Sequence, residues 1–130
     1  MENNISIAIH GGAGTILKSE MTIELEELYV KGLKEAINKG YKILSNGGSA
    51  IDAVEKSVIV LENNPLFNAG KGSVFNHKGQ HEMDASIMDG SSLNAGSVCC
   101  VQKFKNPISL ARMVMEKSEH VMLTGNGAND

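Results

Sequence analysis

Apolar positions run almost unbroken from Ile5 to His10 (ISIAIH) and stop at Gly11, Gly12, Ala13 and Gly14, which predicts a buried strand emptying into a glycine loop. From Thr22 to Ser45 the period changes. At about 100° per residue, Ile23, Val30, Leu33, Ile37, Tyr41 and Leu44 share one arc of about 80°, with Glu24, Glu27, Lys31, Lys34, Asn38 and Lys42 opposite, so an amphipathic helix is expected. Thr22 is its N-cap, the glutamates of its first turn suit the helix dipole, and Asn46-Gly47-Gly48 ends it. Ser49 and Asp52 form a capping box for a second helix with Ile51, Val54, Val58 and Leu61 as its core stripe, closed by Pro65. An irregular stretch, Asn63 to Gly72 (NNPLFNAGKG), follows. Then come a short strand at Val74–Asn76, alternating residues in His81–Met88, a turn at Asp89-Gly90 and a strand at Asn94–Gln102, read as an antiparallel meander. Asn106-Pro107 opens a helix running to about Lys117, and His120–Thr124 is a last short strand. One strand, two helices, a group of strands, a helix and a strand make an α+β chain of roughly five strands with helices on one side of the sheet.

At 130 residues the chain is one domain's worth of sequence. Twelve Lys and Arg against 15 Asp and Glu give a net charge of −3, so no excess of positive charge invites nucleic acid or an anionic membrane. No apolar run is long enough for a spanning helix, and the start lacks the basic and apolar regions of a signal peptide, which points to a cytoplasmic protein. The two cysteines, Cys99 and Cys100, are adjacent in an expected strand, where their side chains would face opposite ways, so reduced thiols are expected rather than a structural disulfide. The 14 glycines exceed ordinary usage, and they gather where the chain changes direction.

Those glycines supply the first candidate chemistry. His10-Gly11-Gly12-Ala13-Gly14 can bring backbone N–H groups close to an oxyanion or a phosphate, or can be a tight turn at the end of a strand; it matches neither a Walker A loop nor a dinucleotide fingerprint. His81, Asp84 and Asp89 fit solvated edges and turn caps better than a metal site, because residues three apart on a strand face opposite ways. Cys99 or Cys100 as a nucleophile would need a base and an electropositive pocket that nothing in the sequence supplies, so one of them is expected in the core. Met83, Met113, Met115 and Met122 read as core residues. The irregular loop from Leu61 to Gly72 leaves carbonyl oxygens outside regular structure, and these could collect a hard cation.

Together, IAIHGGAG (Ile7–Gly14), PLFNAGKGSVF (Pro65–Phe75), HEMDASIMDG (His81–Gly90), Asn106-Pro107 and ARMVMEKSEHVMLTGNGA (Ala111–Ala128) resemble one family, the isoaspartyl peptidase/L-asparaginases, or plant-type asparaginases. The resemblance covers nearly the whole chain, with the motifs in the family's order. It implies an N-terminal nucleophile hydrolase with an αββα sandwich, made as a precursor that cuts itself to expose a Thr whose own α-amine is the general base. The match is to the first half of that fold, so residues 1–130 are expected to be the incomplete α-subunit portion, ending as an interruption. Thr15, Thr22 and Thr124 all lie outside the family's nucleophile context, so no catalytic residue is expected in this chain. By the resemblance, Gly11 and Gly12 flank the nucleophile region and Asn68 helps anchor it. The loop corresponds to a sodium-binding loop using the carbonyls of Leu61, Glu62, Asn64, Phe67, Ala69 and Lys71. The tip departs from the family's GEGA, with Asn126 in place of Glu and then Asn129 and Asp130.

The implied activity is hydrolysis of side-chain-linked aspartyl amides, in a dipeptide or a small molecule. The implied partner is a β-subunit bearing the Thr, in an (αβ)₂ heterotetramer, with no catalytic cofactor and a structural Na⁺. A non-catalytic module holding phosphate or nucleotide at the glycine loop, or an inactive truncated gene product, is the alternative. A half-sandwich would also expose a sheet face and be poorly soluble.

Overall fold

The computed structural model describes residues 4–12, 16 and 19–130; Ala13, Gly14 and Thr15 of the glycine loop lie outside these. Helices α1 (Ile23–Ser45) and α2 (Ala50–Glu62) are followed by a 3₁₀ turn (Gly70–Gly72), strands β1 (Met83–Met88) and β2 (Ala95–Val101), helix α3 (Pro107–Lys117), strand β3 (Met122–Thr124) and a single helical turn α4 (Asn126–Asn129). Both helical N-caps form as expected: Thr22 Oγ1 accepts the Leu25 N–H at 3.1 Å, and Ser49 Oγ accepts the Asp52 N–H at 3.1 Å while donating to Asp52 Oδ2 at 2.8 Å. No helix among the described residues is long and apolar enough to cross a membrane.

The sheet has three strands in the order β1-β2-β3. The first pair is the expected antiparallel hairpin, but β3 runs parallel to β2, so α3 is a crossover connection and the meander stops after one turn. Val74–Asn76 contributes only an isolated bridge from Phe75 to His81. The expected strand Ile5–His10 does not join a sheet. Ile5, Ile7 and Ile9 are half-buried while Ser6, Ala8 and His10 are exposed, and no described strand lies beside them to accept the ladder.

Helices pack on one face of the sheet. Met83, Ile87, Val98, Val101, Ile108, Ala111, Val114 and Ala128 form its core, whereas Asp84, Ser86 and Met88 point outward into solvent. Of the methionines expected inside, Met83 is buried and Met115 packs partly, but Met113 and Met122 are exposed. The buried side of α1 also differs from its apolar arc: Gly32, Ala36 and Gly40 are covered, while Ile23, Val30 and Tyr41 stay exposed. Small residues at this spacing let α2 approach closely. A side chain at Gly40 would run into Ser57, Ile7 and the Ala53 carbonyl.

The buried face of α2 is unexpectedly acidic. Glu62 Oε1 accepts the Ile108 N–H at 2.9 Å and Oε2 accepts Asn106 Nδ2 at 2.9 Å, so a carboxylate from α2 caps α3. Asn106 occupies the N-cap position but makes no side-chain cap bond of its own. Two turns back, Glu55 accepts from Ser109 Oγ at 2.6 Å and from Arg112 Nη1 at 2.8 Å, and the same Arg112 bonds Asp52 at 2.7 Å and Glu116 at 2.7 Å. Burial raises the Glu62 carboxyl above its ordinary 4.5 against the two bonds that lower it. The native state therefore holds that proton to higher pH than the unfolded chain does. Its contribution to stability is full below the unfolded value and is lost as pH rises through the raised native value.

Asp52 and Glu55 have the opposite sign. Asp52 is held below 3.8 by its bonds to Arg112 and Ser49. Glu55, which burial alone would raise, is held below 4.5 by Ser109 and Arg112. Their stabilisation is present above those ordinary values and is lost as pH falls through the lowered ones. Replacing Glu62 by alanine, which orphans the Ile108 and Asn106 donors, is expected to lower unfolding free energy by about 2 kcal/mol in urea titrations. Glu62→Gln should abolish the loss of stability with rising pH that Glu62 causes; an unchanged pH profile would show that this carboxyl is not its source.

Candidate functional site

A cavity of about 630 Å³ lies between the N-terminal segment, α1 and the loop that follows α2, lined among others by His10, Gly11, Gly12, Tyr29, Phe67 and Asn68. Elements far apart in sequence meet here because the loop after α2 folds back on α1. Phe67 is 4 % exposed, its ring set edge-on to Tyr29 at 5.6 Å and 87°. Gly11 and Gly32 are packed against it, since a Cβ at Gly11 would lie 2.8 Å from Leu33 Cδ2 and 3.1 Å from Phe67 Cε1, and one at Gly32 2.9 Å from Phe67 Cε2. Gly12 has φ +111°, a conformation that favours glycine.

The loop is ordered by its own polar groups. Asn64 Oδ1 accepts the Leu66 N–H at 3.0 Å and Asn68 Oδ1 accepts the Val74 N–H at 3.0 Å, tying the cavity wall to the strand segment beyond it. The carbonyls of Leu61, Asn64, Phe67 and Ala69 accept the N–H groups of Asn64, Phe67, Ala69 and Gly72 at 3.0, 3.4, 2.8 and 3.1 Å. Each such bond uses one of an oxygen's two lone pairs, so these oxygens keep acceptor capacity for a cation. Gly70, at φ +52°, stands against the Glu62 backbone, where a Cβ would lie 2.5 Å from its carbonyl oxygen, and Gly72 packs on the Phe67 and Pro65 carbonyls. Only glycines allow the turn to close this tightly.

The structure thus brings Gly11, Gly12 and Asn68 to one cavity, with Leu61, Phe67 and Ala69 in its wall. The Lys71 side chain lies instead among the residues of a second pocket with Asn63, His81 and Gln102. His81 is held by Ser73, with Oγ to Nδ1 at 3.0 Å, and stacks on Phe75 at 4.2 Å between ring centroids. Neither cysteine is in the core, contrary to expectation: Cys99 is half-buried and Cys100 exposed. The Asp84 carboxylate and the Cys100 thiol push the Cys99 thiol up to about 11, so at neutral pH it is a protonated and poor nucleophile. Periodicity could not reveal the Phe67–Tyr29 and Gly11–Phe67 contacts, because they join residues tens of positions apart.

Over residues 3–130 the chain matches the family described as asparaginase. It is 54% identical over 122 residues to the isoaspartyl peptidase/L-asparaginase of Xenopus laevis, covering 94% of this chain and 38% of that protein. It is 48% identical over 124 residues to the isoaspartyl peptidase of Escherichia coli, covering 95% and 39%. With the plant-type L-asparaginase of Pyrococcus horikoshii it shares 52% identity over 124 residues, again covering 95% and 39%. The chain therefore spans about two fifths of the length of these relatives.

Proposed function

The chain belongs to the asparaginase family, and on that premise we propose that residues 1–130 are the α-subunit portion of an isoaspartyl peptidase/L-asparaginase that hydrolyses side-chain-linked aspartyl amides to aspartate and an amine or ammonia. The domain is an αββα sandwich of the N-terminal nucleophile type completed by a second segment. That segment supplies the Thr, in an (αβ)₂ assembly in the cytoplasm. The observation that carries this reading is the convergence of Gly11, Gly12 and Asn68 on one cavity beside the loop after α2.

In this reading the Thr hydroxyl attacks the amide carbonyl while its own α-amine takes the proton and passes it to the nitrogen that departs as amine or ammonia, and water then hydrolyses the resulting acyl ester to release aspartate and restore the hydroxyl. The residues of this chain position rather than react. Gly11 and Gly12 let the backbone lie close to the nucleophile's surroundings, and Asn68, locked to Val74, fixes the adjacent wall. The uncovered face of the three-stranded sheet, with Met88 and Met122 exposed, suits a second layer.

Oxygen donors on a tightly wound loop fit a hard monovalent cation. The carbonyls of Leu61, Glu62, Asn64, Phe67, Ala69 and Lys71 would hold Na⁺, whose part is to stiffen the loop. Exchanging choline for sodium at constant ionic strength should raise the melting temperature by about 4 °C; equal melting in both salts would remove the ion from the account. Phosphate capture at a helix N-terminus is disfavoured, because the first described helix begins at Ile23, well beyond Gly12. The proposed activity is tested by supplying L-asparagine and a β-aspartyl dipeptide to this chain co-expressed with the second segment and measuring free aspartate. Release from either substrate supports it, and a folded complex that releases none refutes it.

A further inference from the structure

The adjacent cysteines do not obey the alternation of a regular strand. Met83 pairs with Val101 but Ala85 pairs with Val98, so Asp84 faces both Cys99 and Cys100 across a bulge. Cys100 takes φ +57°, a left-handed conformation uncommon outside glycine. The result is that the two thiols lie together, Sγ to Sγ 3.6 Å, on the central strand of the sheet beside the outward-facing Asp84. The Cys100 N–H donates to Asp84 Oδ1 at 2.8 Å, which orients the carboxylate beside them. One ligand atom from each of the three residues lies within 4.8 Å of the others.

We propose that Asp84, Cys99 and Cys100 form a surface site for a thiophilic divalent cation of the zinc type. A tetrahedral ion with metal–sulfur bonds of about 2.3 Å holds two thiolates about 3.8 Å apart, close to the spacing already present. A disulfide would require about 2.0 Å, so the fold presents the sulfurs as a chelating pair. Two thiolates and a carboxylate make a soft donor set, which favours zinc-like ions over magnesium or calcium. The Cys100 N–H on Asp84 is the kind of secondary bond that orients a metal-binding carboxylate. Binding displaces both thiol protons to solvent: M²⁺ with two S–H and one carboxylate gives a complex of charge −1 and two H⁺. Three protein ligands leave a fourth position for water. This site is separate from the cavity around Asn68, and it uses the sheet face that the proposed second layer would cover, so it is tested on this chain by itself.

Cadmium is a direct probe, because thiolate-to-metal charge transfer gives it an ultraviolet absorbance that neither oxygen nor nitrogen ligands produce. The full chain, kept reduced and titrated with Cd²⁺, should develop this band and saturate at one ion per chain, and Zn²⁺ should compete for it. Cys99→Ser and Cys100→Ser should each weaken binding by about 100-fold, and Asp84→Asn by about tenfold with the band retained. Circular dichroism of each variant checks that the fold is kept. The proposal is overturned if the wild-type chain gives no charge-transfer band, if the Cys99→Ser/Cys100→Ser double variant binds as tightly as wild type, or if Asp84→Asn has no effect on affinity.

Discussion

Gly96→Ala is expected to destabilise the fold by about 3 kcal/mol, although it adds a single methyl group. Gly96 lies in β2 at the point where α3 crosses the sheet. A Cβ there would overlap the Ala111 carbonyl and the Met115 nitrogen and stand 2.7 Å from Met115 Cβ. Most of these are backbone atoms of α3, so no rotamer change relieves the collision and the helix has to lift from the sheet. Lifting it would open the core formed by Val98, Ile108, Ala111 and Val114 and pull Ile108 and Asn106 away from Glu62. Gly90 is the matching control, since it has open space around it and no left-handed φ. Gly90→Ala should leave stability within about 0.5 kcal/mol of wild type. Urea midpoints of the two variants measure the contrast, and equal midpoints would show that α3 does not sit on β2 through Gly96.

The second large effect concerns turnover. In the assembled enzyme proposed above, Asn68→Ala should lower kcat for aspartate release by about 100-fold while changing stability little, because Asn68 is exposed and its structural bond is to one backbone N–H. Asn68→Asp keeps an acceptor for Val74 and should recover part of the loss. If Asn68→Ala reduced kcat no more than the melting temperature accounts for, Asn68 would be a loop residue and nothing else.

Much of the helical layer was legible in the residue pattern, because caps and stop signals act over three or four positions. Thr22, Ser49 and Pro107 mark the starts of α1, α2 and α3 as expected. The α+β class and the hairpin of β1 and β2 followed from alternation and the Asp89-Gly90 turn, where Asp89 accepts from Ser91 and Ser92. What the pattern missed depends on contacts across long separations. The cap on α3 comes from Glu62, 46 residues before Ile108, and no local rule assigns it.

The small-residue face of α1 was hidden for a related reason: hydrophobic periodicity weights Ile23 and Val30, whereas close helix contact is made by Gly32, Ala36 and Gly40. The bulge at Cys100 defeated the two-residue alternation because one residue in a left-handed conformation is enough to reverse it. At the candidate site, family resemblance pointed to Gly11, Gly12 and Asn68, and spatial folding put them around one cavity. Tyr29, which braces Phe67, went unnoticed because its position on α1 reads as one more amphipathic residue.

The most direct test of the central claim, that this chain frames a reaction whose nucleophile another segment contributes, is aspartate release from a β-aspartyl dipeptide by three samples. These are the 130-residue chain alone, the chain with the second segment, and the chain with that segment's Thr changed to alanine. Turnover in the second sample and none in the other two is the predicted result; turnover by the chain alone at a comparable rate would contradict it.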